Sequence, residues 1–172
     1  GIGENAADAL TTGTGVIAIG ANSYLSSTGN YNTAIGVSAL NNATGSHNVA
    51  LGRNAGNAIT SGQYNVAVGN YALDANTTAS GNTAIGYSAL TDNTSGTQNT
   101  AVGFDALKGN TTASGNTALG YQALFANTTG AWNIAIGGDA LIANTTGDYN
   151  VSVGGNSLTV NTTGDQNVAV GY

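Results

Sequence analysis

The stretch Asn82–Gly86, which reads NTAIG, decides the fold because it recurs with small changes along the chain. Asn32–Gly36 has the same five letters, and Asn133–Gly137 reads NIAIG. The closing glycine returns at intervals of 16 or 17 residues, at Gly3, Gly20, Gly36, Gly52, Gly69, Gly86, Gly103, Gly120, Gly137, Gly154 and Gly171. A fixed period this short predicts one small supersecondary unit stacked many times.

Other positions of the repeat are almost as regular as the glycine. From Gly20 onward, an alanine lies two residues before it except at Ser152, and Ile, Val or Leu stands directly before it. Leucine follows four residues later in most repeats, with a gap at Gly56. An asparagine stands four residues before the glycine, and only Val16 breaks this pattern. This Asn ladder comprises Asn32, Asn48, Asn65, Asn82, Asn99, Asn116, Asn133, Asn150 and Asn167.

The repeat predicts short strands rather than helices. β-Branched residues, Asn and Gly crowd a five-residue segment, and alternate residues of a strand point to opposite faces. One face is therefore Asn, Ala and Gly, and the other is Thr, Val, Ile or Leu. The segment around Ala-Leu predicts a second, shorter strand. We expect an all-β parallel β-solenoid of about ten 17-residue coils with two short strands per coil, in which buried asparagines hydrogen-bond along the stack.

Composition excludes several classes of function. The 172 residues have a formal net charge of -6, and only 6% are charged, so no basic patch exists for nucleic acid. No apolar run approaches the roughly 20 residues of a bilayer span, and we expect no membrane insertion. There is no cysteine, and His47 is the only histidine. One histidine does not supply the parts of a Ser-His-Asp triad or of a histidine metal site, and thiolate ligands are absent. We therefore expect neither an enzyme nor a cofactor.

The strand pattern also indicates assembly. Both faces of the strand are apolar or small, and only one can point into the coil. The other leaves an apolar stripe, which usually marks an interface, and cyclic symmetry is the simplest way to bury it. We expect a homotrimer. Residues 1–172 are interpreted as a single repeat domain, a segment of a longer fibrous protein, with an irregular first coil over 1–19.

The NTAIG stretches Asn32–Gly36 and Asn82–Gly86, with the variants between and after them, resemble the repeats of trimeric autotransporter adhesin heads of the YadA type. They also resemble repeat segments of phage tail fibres. The resemblance covers nearly the whole chain, although the adhesin heads use shorter coils. It implies a left-handed parallel β-roll packed as a homotrimer. It also implies an extracellular location, on a cell surface or a virion tail fibre, and attachment to a host-surface glycan or protein.

The position directly before the Asn ladder, here called the aromatic column, holds the candidate ligand contacts. Exposed aromatic rings spaced along a rod are suited to stacking against sugar rings. The alternative is that they cover the turn or brace a neighbouring subunit. The candidates are Tyr31, Tyr64, Trp132 and Tyr149; a second set, Tyr87, Phe104, Tyr121 and Tyr172, follows the repeat glycine and is interpreted as interface or corner packing.

Six Asn-Thr-Thr or Asn-Thr-Ser triplets begin at Asn76, Asn93, Asn110, Asn127, Asn144 and Asn161. They predict a polar ridge made of turns, and each is formally an N-glycosylation acceptor. Threonine and asparagine ladders also raise an alternative function, ice binding on a flat solenoid face. The function that we expect is a structural and adhesive surface fibre segment, an adhesin head or tail-fibre shaft.

Overall fold

The computed structural model describes all 172 residues and contains one parallel sheet of ten strands, arranged in the order of the sequence. Every strand has three residues. The strands are β1 Ile17–Ile19, β2 Thr33–Ile35, β3 Val49–Leu51, β4 Val66–Val68, β5 Thr83–Ile85, β6 Thr100–Val102, β7 Thr117–Leu119, β8 Ile134–Ile136, β9 Val151–Val153 and β10 Val168–Val170.

Each strand pairs with its own copy in the next coil without any slip. Between β5 and β6, for example, Ala84 lies opposite Ala101, and Ile85 lies opposite Val102. The predicted all-β parallel solenoid is therefore confirmed. The first coil contributes only an isolated bridge, from Ile2 to Ile19. The structure has no helix, and hence none that is long and apolar enough to cross a membrane.

The second strand predicted around Ala-Leu is wrong, because the backbone there is not extended. In the coil after β5, Ser88 and Leu90 have left-handed φ values of 52° and 53°. The Ser88 N–H donates to the preceding coil, at Asn70, whereas the Leu90 N–H donates to the following coil, at Ala106. This segment is thus hydrogen-bonded to both neighbours as a tight turn, and each coil has one strand.

The core is a column of alanines and leucines inside the coils. The central alanine of a strand, such as Ala84, is fully buried, and so is the leucine that follows the glycine, such as Leu90. A left-handed backbone costs about 1–2 kcal/mol for a residue with a Cβ. Burying a leucine side chain contributes about 1.5–3 kcal/mol. Burial and the inter-coil hydrogen bonds therefore offset the strain at these leucines.

The repeat glycine is required by both conformation and space. Gly120 has a φ of +137°, and a Cβ there would lie 2.6 Å from the carbonyl oxygen of Gly137 in the next coil. L-residues rarely adopt this conformation, and the backbones could not approach so closely with a side chain between them. The glycine therefore permits the strand to bend into the turn while the coils remain in contact.

Candidate functional site

The Asn ladder lies inside the solenoid beside the strands. The oxygen Oδ1 of Asn82 accepts the backbone N–H of Asn99 at 2.9 Å, and its amide Nδ2 donates to the carbonyl of Gly96 at 2.9 Å. The same bonds recur from Asn32 to Asn150, and only Asn167, in the last coil, is not fully buried. Each asparagine except Asn167 thus satisfies a backbone N–H that strand pairing leaves free.

The triplet asparagines form a second buried row, here called the triplet ladder: Asn76, Asn93, Asn110, Asn127, Asn144 and Asn161. Asn110 Nδ2 donates to Asn93 Oδ1 at 2.8 Å and to the Ala113 carbonyl at 3.0 Å. All but Asn161 are fully buried. The predicted polar ridge is therefore wrong for these asparagines, because their amides point inward to satisfy the turn carbonyls. Burial also makes the other five inaccessible as glycan acceptors in the folded chain.

The threonine that follows each triplet asparagine reaches the surface, as does the Thr or Ser after it. Thr77 Oγ1 donates to the Thr94 carbonyl at 3.2 Å, and Thr94 Oγ1 donates to the Thr111 carbonyl at 3.0 Å. This pattern continues from Thr44 to Thr162. The result is the threonine row, defined as Thr44, Thr60, Thr77, Thr94, Thr111, Thr128, Thr145 and Thr162. It is exposed or half-buried, uncharged and spaced by one coil.

The aromatic column consists of residues that all have a left-handed backbone. Tyr31, Tyr64, Trp132 and Tyr149 have φ values between 54° and 58°, and all four side chains are more than half exposed. Left-handed φ turns the chain sharply just before the strand, so these side chains project at the edge of the sheet. The structure places all four candidates in one column, divided into two groups by Gly81, Gln98 and Gly115.

In the first group the rings cover one another. Tyr31 stacks on His47 with centroids 5.2 Å apart, and His47 stacks on Tyr64 at 5.1 Å with ring planes 7° apart. The ring faces between these residues are therefore covered. The ring edges and the outer face of Tyr64 remain accessible to a ligand. In the second group, Trp132 lies against the backbone of Gly115, where a Cβ would be 2.5 Å from the indole.

The aromatics that follow the repeat glycine form a separate stack. Tyr87, Phe104 and Tyr121 are about half exposed, and consecutive rings lie 5.3 and 5.7 Å apart. The two cations of the chain lie against other rings. Arg53 is 5.7 Å from the ring centroid of Tyr71, and Lys108 is 5.8 Å from that of Phe125. Such positions suit cation–π contacts.

The apolar stripe, defined as the first and third residues of each strand, is the outer face of the sheet. None of these residues is fully buried, whereas the central residue is buried in every strand except β10. Ile17 is 51% exposed and Leu119 is 45% exposed. Ile, Val, Leu and Thr side chains thus form a partly exposed, uncharged face along ten strands, and contiguous apolar surface of this kind marks an interaction site.

Sequence reasoning missed Tyr24, which replaces the core leucine in the second coil. Its hydroxyl donates to the Gly29 carbonyl and accepts the amide of Asn32 at 2.8 Å. Burial raises the pKa of Tyr24, and the hydrogen bond with Asn32 partly counteracts this. The signal for its location was the leucine column, which places residue 24 in the core.

The chain forms no cleft or cavity that could enclose a small molecule. No three His, Asp or Glu side chains come together as metal ligands would. Comparison of the chain with protein-family models, curated proteins and solved structures gives no match.

Proposed function

We propose that this chain is a structural and adhesive segment of an extracellular fibre, either an adhesin head or a tail-fibre shaft. It attaches to a glycan or protein on a host surface through repeated exposed side chains. The observation that carries this proposal is the stacking of exposed aromatic residues along a sheet whose coils are in register. Weak contacts at several coils add together, because linked sites raise the effective concentration of the next contact. The role is non-catalytic and uses no cofactor.

The apolar stripe supports a homotrimer. Three solenoids around one axis would each bury this stripe against the others, and low charge along the face removes a desolvation cost. Light scattering tests this directly: we expect three times the chain mass. A monodisperse monomer would refute the trimer.

Attachment is tested by replacing Trp132 and Tyr149 with alanine. Trp132 and Tyr149 lie outside the Tyr31–His47–Tyr64 stack, so their replacement leaves that stack in place. We expect the double variant to keep its circular dichroism spectrum and lose binding to cells or glycan-coated surfaces. Unchanged attachment by a folded variant would show that these rings serve packing instead.

The threonine row favours one second candidate, an ice-binding surface. Its hydroxyl protons all point along the stack, so the row presents methyl groups and oxygen acceptors at the coil spacing of about 4.8 Å. Replacing Thr111 and Thr128 with tyrosine would then abolish inhibition of ice recrystallisation. If the native chain has no effect on ice growth, this candidate is refuted.

A further inference from the structure

The aromatic column contains one position where a side chain is missing and nothing takes its place. The column runs from Tyr64 to Gly81 and then to Gln98 in successive coils. One face of the Tyr64 ring is covered by His47, and the other faces the coil of Gly81. A Cβ at Gly81 would meet only Gln98, with Cγ 3.8 Å away.

The other glycine of the column shows that such a gap can be filled. At Gly115 the indole of Trp132 lies so close that a Cβ would be 2.5 Å from it. Gln98 is shorter and does not collapse onto Gly81 in this way. The gap between Tyr64 and Gln98 is therefore open, and Gly81 itself is exposed.

The height of the gap follows from the column itself. Adjacent rings stack at 5.1 to 5.2 Å. Two coil steps therefore separate Tyr64 from Gln98 by about 10 Å, since each step is about 4.8 Å. A single six-membered ring placed midway lies about 5 Å from each side, which is a normal stacking distance.

The walls of the gap differ in chemistry. Tyr64 offers an apolar ring face and is 63% exposed. The Gln98 side chain has both donor and acceptor atoms, and neither it nor the Gly81 carbonyl is hydrogen-bonded within the chain. No charged residue stands in the column. A neutral ring with C–H groups on one face and hydroxyls at its edge matches these walls.

We propose that Tyr64, Gly81 and Gln98 form a subsite for one pyranose residue of a neutral glycan. The sugar ring stacks on the free face of Tyr64, and its hydroxyls bond to the Gln98 amide and the Gly81 carbonyl. This subsite rests on the proposed adhesive function and specifies the ligand of its aromatic column. Gly81 is the specificity-determining residue, because a ring-sized side chain at this position would occupy the place of the sugar.

The decisive variant is Gly81→Tyr, which restores the missing ring. Its fold is expected to survive, since Tyr31 and Tyr64 adopt the same left-handed backbone at equivalent positions. The control is Gly81→Ala, which loses the same glycine freedom but adds only a methyl group. Saturation-transfer NMR on the assembled protein would use methyl glycosides of glucose, galactose, mannose and N-acetylglucosamine and their hexasaccharides as probes.

We expect at least one probe to bind the native chain and Gly81→Ala, and Gly81→Tyr to weaken it at least about tenfold. Tyr64→Gln should weaken it similarly, whereas Tyr172→Gln, which alters an exposed tyrosine outside the aromatic column, should not. Unchanged binding by Gly81→Tyr would overturn the subsite while leaving glycan attachment standing. No binding of any probe to the native chain would overturn both the subsite and a neutral-glycan partner. Loss of the assembled mass in Gly81→Tyr would also overturn the subsite, because the gap would then receive a neighbouring subunit.

Discussion

The two buried asparagine rows should differ in their contribution to stability, and the pair Asn99→Ala and Asn110→Ala tests this. Both residues are fully buried, and both variants remove the same atoms. Asn99 Oδ1 accepts the backbone N–H of Asn116 at 2.9 Å, whereas Asn110 Oδ1 accepts only the side-chain amide of Asn127. The variants therefore differ in whether a backbone donor is left unpaired.

The expected magnitudes follow from the groups left behind. Asn99→Ala leaves the Asn116 N–H buried without an acceptor, which costs about 1–3 kcal/mol, and the lost amide bonds add about 1 kcal/mol. The Ala113 carbonyl keeps a second donor in Asn110. In Asn110→Ala, Asn127 still donates to the Gly130 carbonyl at 2.8 Å, but the buried Asn93 Oδ1 loses the Asn110 amide as its donor, so the cost is about 2 kcal/mol. We expect Asn99→Ala to be the more destabilising variant by about 1 kcal/mol, because buried backbone N–H groups are left unpaired less readily than buried oxygens.

Urea unfolding followed by circular dichroism measures both free energies of unfolding, and amide hydrogen exchange reports on Asn116 directly. Asn99→Ala should accelerate exchange at Asn116 more than Asn110→Ala does. Equal destabilisation by the two variants, with unchanged protection of the Asn116 amide, would refute the reasoning. The sequence is already consistent with it, since the triplet position holds Ala43 and Ile59 in early coils.

Three further outcomes are expected. Gly56→Leu alone should destabilise the chain by about 1–3 kcal/mol, because its Cβ would lie 2.9 Å from Ile59 Cδ1. Adding Ile59→Asn restores the common repeat and should recover the midpoint of urea unfolding. A double variant that does not recover the midpoint would contradict this. Gly120→Ala should lower the midpoint of thermal unfolding strongly, whereas Gly138→Ala, where a Cβ meets nothing within 4 Å, should change it little. Equal shifts would contradict the argument that the repeat glycine permits close contact between coils. Burial raises the pKa of Tyr24 above its ordinary 10.0. The contribution of the Tyr24 hydroxyl to folding stability is therefore complete below pH 10 and is lost as the pH rises through the folded pKa. The stability advantage of the native chain over Tyr24→Phe in alkaline urea titrations should shrink accordingly, and a constant difference would contradict it.

The sequence by itself determined the period, the strand and its inward face. Period-2 alternation applied to NTAIG places Ala84 on one face and Thr83 and Ile85 on the other, and the expected buried asparagine ladder marks the Ala84 face as the inner one. The phase of the glycines likewise determined the register, since copies of one unit stack most easily in step. The aromatic column could also be read from the sequence, because its residues directly precede a column that is nearly invariant.

Only the tertiary structure decided the conformation between the strands. Left-handed φ at Ser88 and Leu90 turns one N–H toward each neighbouring coil, and no sequence pattern indicates left-handed leucine, because an isolated chain disfavours it. That conformation rotates Asn93 inward and leaves Thr94 outside, so the triplets became a buried ladder beneath an exposed row. The stacked coils can hold such strained residues because each gains hydrogen bonds and burial that exist only when its neighbours are already in place.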